Sequence, residues 1–336
     1  MVGFRTFAKL ALILLVVLAT TFGVVSYRSL YLPLNPAQPL VIEVPPGQSA
    51  RQIIAQIAPQ VDGFNADIQY YLARLLGFTD QLQAGVYRLS PEQSMTDLWR
   101  QIAAGQSESF QVTLIEGQTW LQWQQALRQA PYLDDNALTE LSAEQLAAQI
   151  GAADYPSIEG ALLPETYTYK PYTKVTVILR EAHQALRQTL EQVWQERSAN
   201  VPYSDPYELL ILASIIEKET GQAGERALVA SVFVNRIHSG MRLQSDPTTI
   251  YGIEDFDGNL TRQHLRTWTP YNTYRIDHLP PTPIAMVSRA SLIAAAKPAV
   301  SDFYYFVADG QGGHVFSRNL REHNRAVDRY QRQRSN

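Results

Sequence analysis

From Leu10 to Tyr27 the chain runs 18 residues without a charge, and this stretch limits its own conformation severely. In hydrocarbon every backbone N–H and C=O must find its partner inside the segment, so such a run is a helix. At 1.5 Å per residue it reaches about 27 Å, just enough for the apolar core of a bilayer. Arg5 and Lys9 precede it and Arg28 follows. A basic amino end stays on the cytoplasmic side. The pattern therefore predicts a cytoplasmic tail over residues 1–9, a single transmembrane helix over 10–27 in the inner (cytoplasmic) membrane, and a periplasmic remainder. A cleaved signal peptide is the alternative, but Ala19-Thr20-Thr21 makes a poor small-residue cleavage site. Residues 28–38, which include Tyr31-Leu-Pro-Leu-Asn-Pro, read as a stiff extended spacer.

Beyond the apolar run, 336 residues that are 46% hydrophobic and only 18% charged suffice for two or three packed domains. A net charge of −4 gives no general attraction for nucleic acid. The absence of cysteine excludes disulfides, a thiol nucleophile and a lipoprotein attachment point. Six scattered histidines form no HExxH-type cluster, which argues against a metal site.

The pattern of elements predicts an α+β fold. Val41-Ile-Glu-Val, Val86-Tyr-Arg-Leu and Val112-Thr-Leu-Ile each read as a strand, followed by a turn and a hydroxyl residue, Ser49, Ser94 or Thr119, that caps a helix. Their irregular spacing argues against a solenoid. They predict a small β-α module over residues 39–113 and a larger domain over 114–336, with the third copy leading into the latter. Helices are expected near Ala137–Ile150 and from Val175 to about Glu196. Between them, Thr166-Tyr-Thr-Tyr169 alternates in strand fashion and either lines a sugar groove or packs a core. Tyr271-Asn-Thr-Tyr274 and Leu279-Pro-Pro-Thr-Pro283 form a long loop rich in rings, amides and hydroxyls, a mixture suited to carbohydrate.

Chemistry concentrates at the end of Leu210-Ile-Leu-Ala-Ser-Ile-Ile-Glu217-Lys218-Glu219. Asp205 and Glu208 predict a capping box with Pro206 at the first helical position, so the helix runs to Thr220. At about 100° per residue, Glu217 falls between Leu210 and Ala213 and leans into the buried sector, while Lys218 lies on the side of Ser214 and looks solvated. Desolvation raises a carboxyl pKa toward the range a general acid needs. An ordinary helix-end ion pair is the competing use. Glu219 points roughly 200° away, so the two acids do not face one bond as a glycosidase pair would.

Taken with Val232-Phe-Val-Asn-Arg236, Met241-Arg-Leu-Gln-Ser-Asp-Pro-Thr248, Tyr271-Asn-Thr-Tyr274, Leu279-Pro-Pro281, Ala296-Lys-Pro298 and Tyr305-Phe-Val-Ala-Asp-Gly310, that segment closely resembles the YceG-like endolytic murein transglycosylases. Ile115-Glu-Gly117, Leu163-Pro-Glu-Thr-Tyr167 and the N-terminal apolar run extend the likeness over the chain. The resemblance implies a membrane-anchored lyase that cuts inside nascent peptidoglycan strands, with a LysM-like subdomain at 39–113 and a catalytic domain at 114–336. It matches Glu217 to the catalytic acid. Two segments depart from the family pattern: His278 and Thr282 stand where glycines are usual, and Leu162-Leu-Pro-Glu-Thr-Tyr167 replaces Leu-Phe-Pro-Asp-Thr-Tyr.

On this reading Glu217 protonates the glycosidic oxygen between a muramoyl residue and the next glucosamine. The C6 hydroxyl of the same muramoyl ring then attacks its anomeric carbon and leaves a 1,6-anhydro end. That tethered nucleophile needs no second carboxylate and no metal or organic cofactor. Gln244, Ser245, Asp246, Tyr271, Asn272 and Tyr274 are the candidates for the surrounding groove. Glycan strands are the expected partner, with peptidoglycan synthases as neighbours. Two other readings are a lysozyme-like hydrolase, with Asp246 as its second acid, and a non-catalytic peptidoglycan-binding scaffold.

Overall fold

A computed structural model describes residues 2–330, in a fold of mixed helix and strand. Helix α1 (Val2–Tyr31) is long and apolar enough to cross a membrane; its most apolar stretch has a mean hydropathy of 2.4 and is uncovered by protein. Residues 2–9, expected as a tail, and 28–31, expected as spacer, are part of this helix. Met1 and residues 331–336, which the expected tail and large domain include, lie outside the described residues. The helix end is held rather than free. Its last carbonyls lack intrahelical partners, and Gln69 Nε2 donates to Ser29 O at 2.7 Å while Thr96 Oγ1 donates to Leu30 O at 2.8 Å. Leu34 and Asn35 then donate their amides to Gln93 O and Pro91 O, both at 3.0 Å. What reads as a spacer in sequence is pinned along half its length.

The chain forms two compact units. The first extends through Phe110 and adds Pro131–Asp134 and Thr168–Thr173. Strands β1 (Leu40–Val44) and β2 (Gly85–Leu89) pair antiparallel, from Leu40 opposite Leu89 to Val44 opposite Gly85. Alternation turns Leu40, Ile42 and Val44 inward. They meet α2 (Ala50–Ile57), α3 (Ala66–Leu75) and α4 (Met95–Ala103) around Trp99, Tyr87 and Ile53. Ser49 and Ser94 cap α2 and α4 in reciprocal boxes with Gln52 and Asp97.

The second unit comprises Gln111–Ala130, Asp135–Tyr167 and the chain from Lys174 on. The division passes through β3 (Phe110–Thr113), which precedes α5 (Trp120–Gln129), capped by Thr119. The helix expected over Ala137–Ile150 is two, α6 (Ala137–Glu140) and α7 (Ala143–Ile150), because Ser142 starts a new capping box with Gln145. Strand β4 (Thr166–Tyr169) pairs with β3. Tyr167 and Tyr169 are 5% and 4% exposed, so the tyrosine pattern serves a core rather than a sugar groove. Then follow α8 (Val175–Gln195), α9 (Pro206–Glu219), α10 (Arg226–His238), α11 (Asp246–Tyr251), α12 (Arg262–Arg266), α13 (Arg289–Ala296), the antiparallel hairpin β5 (Tyr305–Ala308) with β6 (His314–Ser317), and α14 (Leu320–Tyr330).

Helix α9 is the axis of this unit. Every residue from Leu209 to Ile216 is buried, as a helix apolar all round requires, and α8, α10, α11 and α13 cover it. Asp205 caps it, accepting from Glu208 N at 2.9 Å. The reciprocal half of the expected box is absent: Glu208 reaches past Asp205 to the amide and hydroxyl of Ser204.

Candidate active site

The last turn of α9 carries Glu217, Lys218 and Glu219 to three different surroundings. Only 4% of the Glu217 side chain is exposed. Its carboxylate accepts from the amide of Ser288 at 2.9 Å and from the Ser288 hydroxyl, and lies 3.8 Å from the Arg226 guanidinium. Ser288 is the N-cap of α13, and Arg226 opens α10. One carboxylate thus ties the end of α9 to the starts of two helices that pack on it, where backbone N–H groups favour negative charge. The sequence placed Glu217 in the buried sector, and there it is. Its oxygens, however, are turned to protein rather than to an open groove.

Lys218 is exposed, yet its ammonium donates to Gly117 O at 2.9 Å. Gly117 N in turn donates to Met286 O, and Met286 N to Gln118 O, each at 2.8 Å. The Ile115-Glu-Gly117 segment is thereby fastened beside the helix end. Gly117 has φ +73°, a conformation that suits glycine.

Glu219 opens onto a cavity of about 450 Å³ lined also by Arg236, Gln244, Asp246, Tyr274, Tyr305 and His314. Ser245 Oγ donates to its Oε1 at 2.5 Å. Burial raises its pKa to about 7, Asp246 adds to the rise, and the Ser245 bond, His314 and Arg236 oppose it. The cavity wall is built from buried polar anchors. Arg236, only 7% exposed, donates to Tyr304 O at 2.7 Å and Leu243 O at 2.6 Å, with its guanidinium 5.1 Å from the centre of the Tyr305 ring. Desolvation lowers its pKa from the ordinary arginine value. Tyr274 donates to Asp246 Oδ1 at 2.7 Å. His314 Nδ1 sits 2.7 Å from Glu225 Oε2. Gln244 holds φ +53°, a left-handed conformation unusual for a side-chain-bearing residue and typical of strained functional loops.

The six expected groove residues separate accordingly. Gln244, Asp246 and Tyr274 line the cavity. Ser245 and Asn272, expected in the same groove, are buried at 1% and 0% exposure. Ser245 supports Glu219. Asn272 Nδ2 donates to His264 O, Leu265 O and Thr267 O while its Oδ1 accepts from Thr249 and the Tyr274 amide, so its whole polar inventory is spent holding the loop that presents Tyr274. Tyr271 packs edge-on to Tyr251 at 4.8 Å and shares a 2.9 Å hydrogen bond with Thr282. Thr282 thus has a use of its own where glycine is usual, and neither it nor His278 takes a positive φ.

Glu159 is a buried acid with no signal in the sequence beyond its place in the apolar run Ile158–Leu163. At 4% exposure it accepts from the Trp120 amide at 3.1 Å and the Tyr251 hydroxyl at 3.2 Å, and burial pushes its pKa up to about 7. Its neighbour Gly160 has φ +74°, and a Cβ there would meet Pro283 Cβ at 2.3 Å. Among the described residues no group of three or more His, Asp or Glu gathers in a way that could hold a metal ion.

The chain matches the profile of the YceG-like family over residues 42–329. It is 30% identical over 308 residues to an endolytic murein transglycosylase of Bacillus subtilis, covering 86% of this chain and 84% of that protein. A protein of the same name from Streptococcus pneumoniae is 27% identical over 329 residues, covering 87% of this chain and 58% of the relative. A solved yceG-like protein of Listeria monocytogenes superposes with a TM-score of 0.52 at 28% identity, covering 86% of this chain and 99% of that one.

Proposed function

The chain belongs to the YceG-like family, and from that premise we propose that it is an endolytic murein transglycosylase, a lyase that cuts within peptidoglycan glycan strands. The observation that carries the chemistry is Glu219: an acid whose pKa is raised to about 7 and which opens onto a polar, aromatic-walled cavity. A general acid works best when its pKa lies near the working pH. Glu219 protonates the glycosidic oxygen as positive charge develops at the muramoyl anomeric carbon. The muramoyl C6 hydroxyl attacks that carbon, the carboxylate recovers its proton, and a 1,6-anhydro end results. The tethered hydroxyl supplies a high effective molarity, so no water need be activated. Asp246 and Tyr274, hydrogen-bonded to each other, face the same space and orient sugar hydroxyls or N-acetyl groups.

This reading moves the acid from Glu217 to Glu219. Glu217 accepts from the amide and hydroxyl of Ser288 and lies 3.8 Å from Arg226, contacts that occupy it in the free protein. The alternative, Glu217 as the acid, requires the Ser288 contact to open on binding. Hydrolysis is the second chemical reading, favoured by the presence of Asp246 in the same cavity, since a second carboxylate can activate water.

The helix α1 supports a retained single-pass anchor with the rest of the chain in the periplasm, which would confine cutting to newly made strands close to the membrane and near their synthases. The order β1, α2, α3, β2 supports the LysM-like reading of the first unit. One experiment tests the whole: mass spectrometry of the products from purified glycan strands with the wild type, Glu219→Gln and Glu217→Gln. Anhydro ends that vanish in Glu219→Gln and persist in Glu217→Gln are expected. Reducing ends would select hydrolysis, no cleavage by the wild type would select a scaffold, and the opposite mutant pattern would return the acid to Glu217.

A further inference from the structure

The first unit contains a second polar cavity, of about 480 Å³, unconnected with the chemistry of Glu219. It lies where α1 ends and α3 begins. Its polar lining is Arg28, Ser29, Asp62, Asn65 and Gln69, and its apolar lining includes Leu32, Phe64 and Ile68. Gln69 is 3% exposed, and its amide orientation is fixed because Nε2 must donate to Ser29 O at 2.7 Å. Its Oε1 is therefore left buried with no partner. A buried acceptor in that state costs about 1–3 kcal/mol unless a ligand or water satisfies it. Arg28 and Asp62, of opposite sign, line the same space, and among the described residues neither side chain has an ion-pair partner. At the start of α3 the Ile68 amide donates to the Asn65 cap at 3.0 Å, which leaves the amides of Ala66 and Asp67 for a ligand.

The surroundings of this cavity are apolar in a way a water-facing module has no use for. On α3, Tyr71 and Leu75 share one face and are 62% and 73% exposed, with Leu76 at 46% beyond them. On α1, Tyr27 and Tyr31 are 60% and 49% exposed with ring centres 5.6 Å apart, like the aromatic residues that sit at headgroup level in membrane proteins. Helices α1 and α3 pack together.

We propose that this cavity binds the headgroup of a phosphoethanolamine phospholipid of the membrane that α1 crosses, an inference that rests on α1 being a retained anchor. The phosphate takes the Arg28 guanidinium and the amino end of α3. The ammonium donates to Asp62 and to the orphaned Gln69 Oε1. A trimethylated choline has no N–H to give these acceptors, and a glycerol headgroup has no charge for Asp62. The acyl chains run along the apolar face of α1, with Tyr71 and Leu75 resting in the interface. The first unit is thereby seated on the bilayer, which fixes its tilt and the height at which the chain emerges.

The test uses the full-length chain in mild detergent, offered an equimolar mixture of phosphatidylethanolamine, phosphatidylcholine and phosphatidylglycerol with identical acyl chains, with retained lipid read by native mass spectrometry. Phosphatidylethanolamine should be retained about tenfold over the others, the worth of one charge-assisted hydrogen bond. Asp62→Asn, a change at an exposed side chain, should abolish that preference, and Arg28→Gln should weaken retention of all three. Equal retention by the wild type, or an undiminished preference in Asp62→Asn, overturns the proposal. So does full displacement by millimolar water-soluble phosphoethanolamine, which would make the site one for a free solute. The same spectra report the protein's mass, and a form shortened within residues 19–27 would remove the anchor and this proposal together. Cleavage of soluble glycan strands by Asp62→Asn should equal the wild type, so a failure here stays separate from a failure of the enzymatic reading.

Discussion

Two residues apart on one helical turn, Glu217 and Glu219 have opposite fates. Glu217 has two donors from Ser288 and a guanidinium at 3.8 Å, and its side chain is 4% exposed. Glu219 has one strong donor, Ser245, a neighbouring acid in Asp246, and a cavity in front of it. The first arrangement joins helices through one carboxylate. The second leaves ionisation poorly compensated and so keeps a proton available. Under the proposed assignment, a buried acid with few donors that borders a cavity is the proton donor, and a buried acid with several donors is a joint between helices.

The largest effect that separates the two corners is catalytic. Glu219→Gln keeps the size and an acceptor for Ser245 but removes the acid, so turnover of glycan strands should fall at least about 100-fold. Glu217→Gln should retain turnover within about tenfold at a temperature where it is folded. A Glu219→Gln enzyme with near-normal turnover would erase the distinction drawn here.

Next in size is stability. Glu217→Ala strips the partner from Arg226 and the acceptor from Ser288, and removing one member of a buried ion pair costs about 3–5 kcal/mol. The urea midpoint should drop accordingly, and the variant should show no such loss only if Glu217 is idle in the free protein. Glu219 behaves in the opposite sense. Its folded pKa of about 7 lies above the ordinary 4.5, so the folded state binds the extra proton between those values and stability falls as pH rises from about 4.5 to 7. The decline amounts to at most about 3 kcal/mol. Glu219→Gln should lose that slope and, above pH 7, be no less stable than the wild type. Urea titrations at pH 5 and pH 8 measure both signs.

The sequence anticipated the structure well where local rules govern and poorly where long-range contacts decide. Ser49, Ser94 and Thr119 cap their helices as their spacing requires, and Asp205 begins α9. The apolar run at Leu210–Ile216 is the buried axis that its composition demands. Helical projection put Glu217 in the buried sector, but projection ranks directions and says nothing of partners. Ser288 and Arg226, which engage Glu217, come from other helices, the first of them 71 residues away. Ser245, Arg236 and Asp246, which shape the surroundings of Glu219, do so as well. Asn272 looked like a sugar contact because amides in loops often are, yet its side chain is engaged by α11, by α12 and by its own loop. Glu159 escaped notice because nothing near it in sequence shows that Trp120 and Tyr251 converge on it.

The smallest effect sharpens the contrast furthest, because it changes the donor count at Glu219 without touching either acid. Ser245 is the N-cap of α11, but its side chain makes no capping bond, and its hydroxyl donates to Glu219. Ser245→Ala therefore removes one donor from the carboxylate in a fully buried position that alanine fits. That donor holds the Glu219 pKa down against burial, so its loss must raise the pKa further. A general acid acts while protonated, and wild-type activity should decline as pH rises through about 7. In Ser245→Ala the same declining limb should move to higher pH, with the maximal rate changed by less than about tenfold. The equivalent change at the other corner, Ser288→Ala, takes a donor from Glu217 and should leave the limb where it is, though it weakens the cap of α13 by about 1 kcal/mol. If Ser288→Ala moves the limb and Ser245→Ala does not, the proton that matters resides on Glu217, and the two corners must exchange roles.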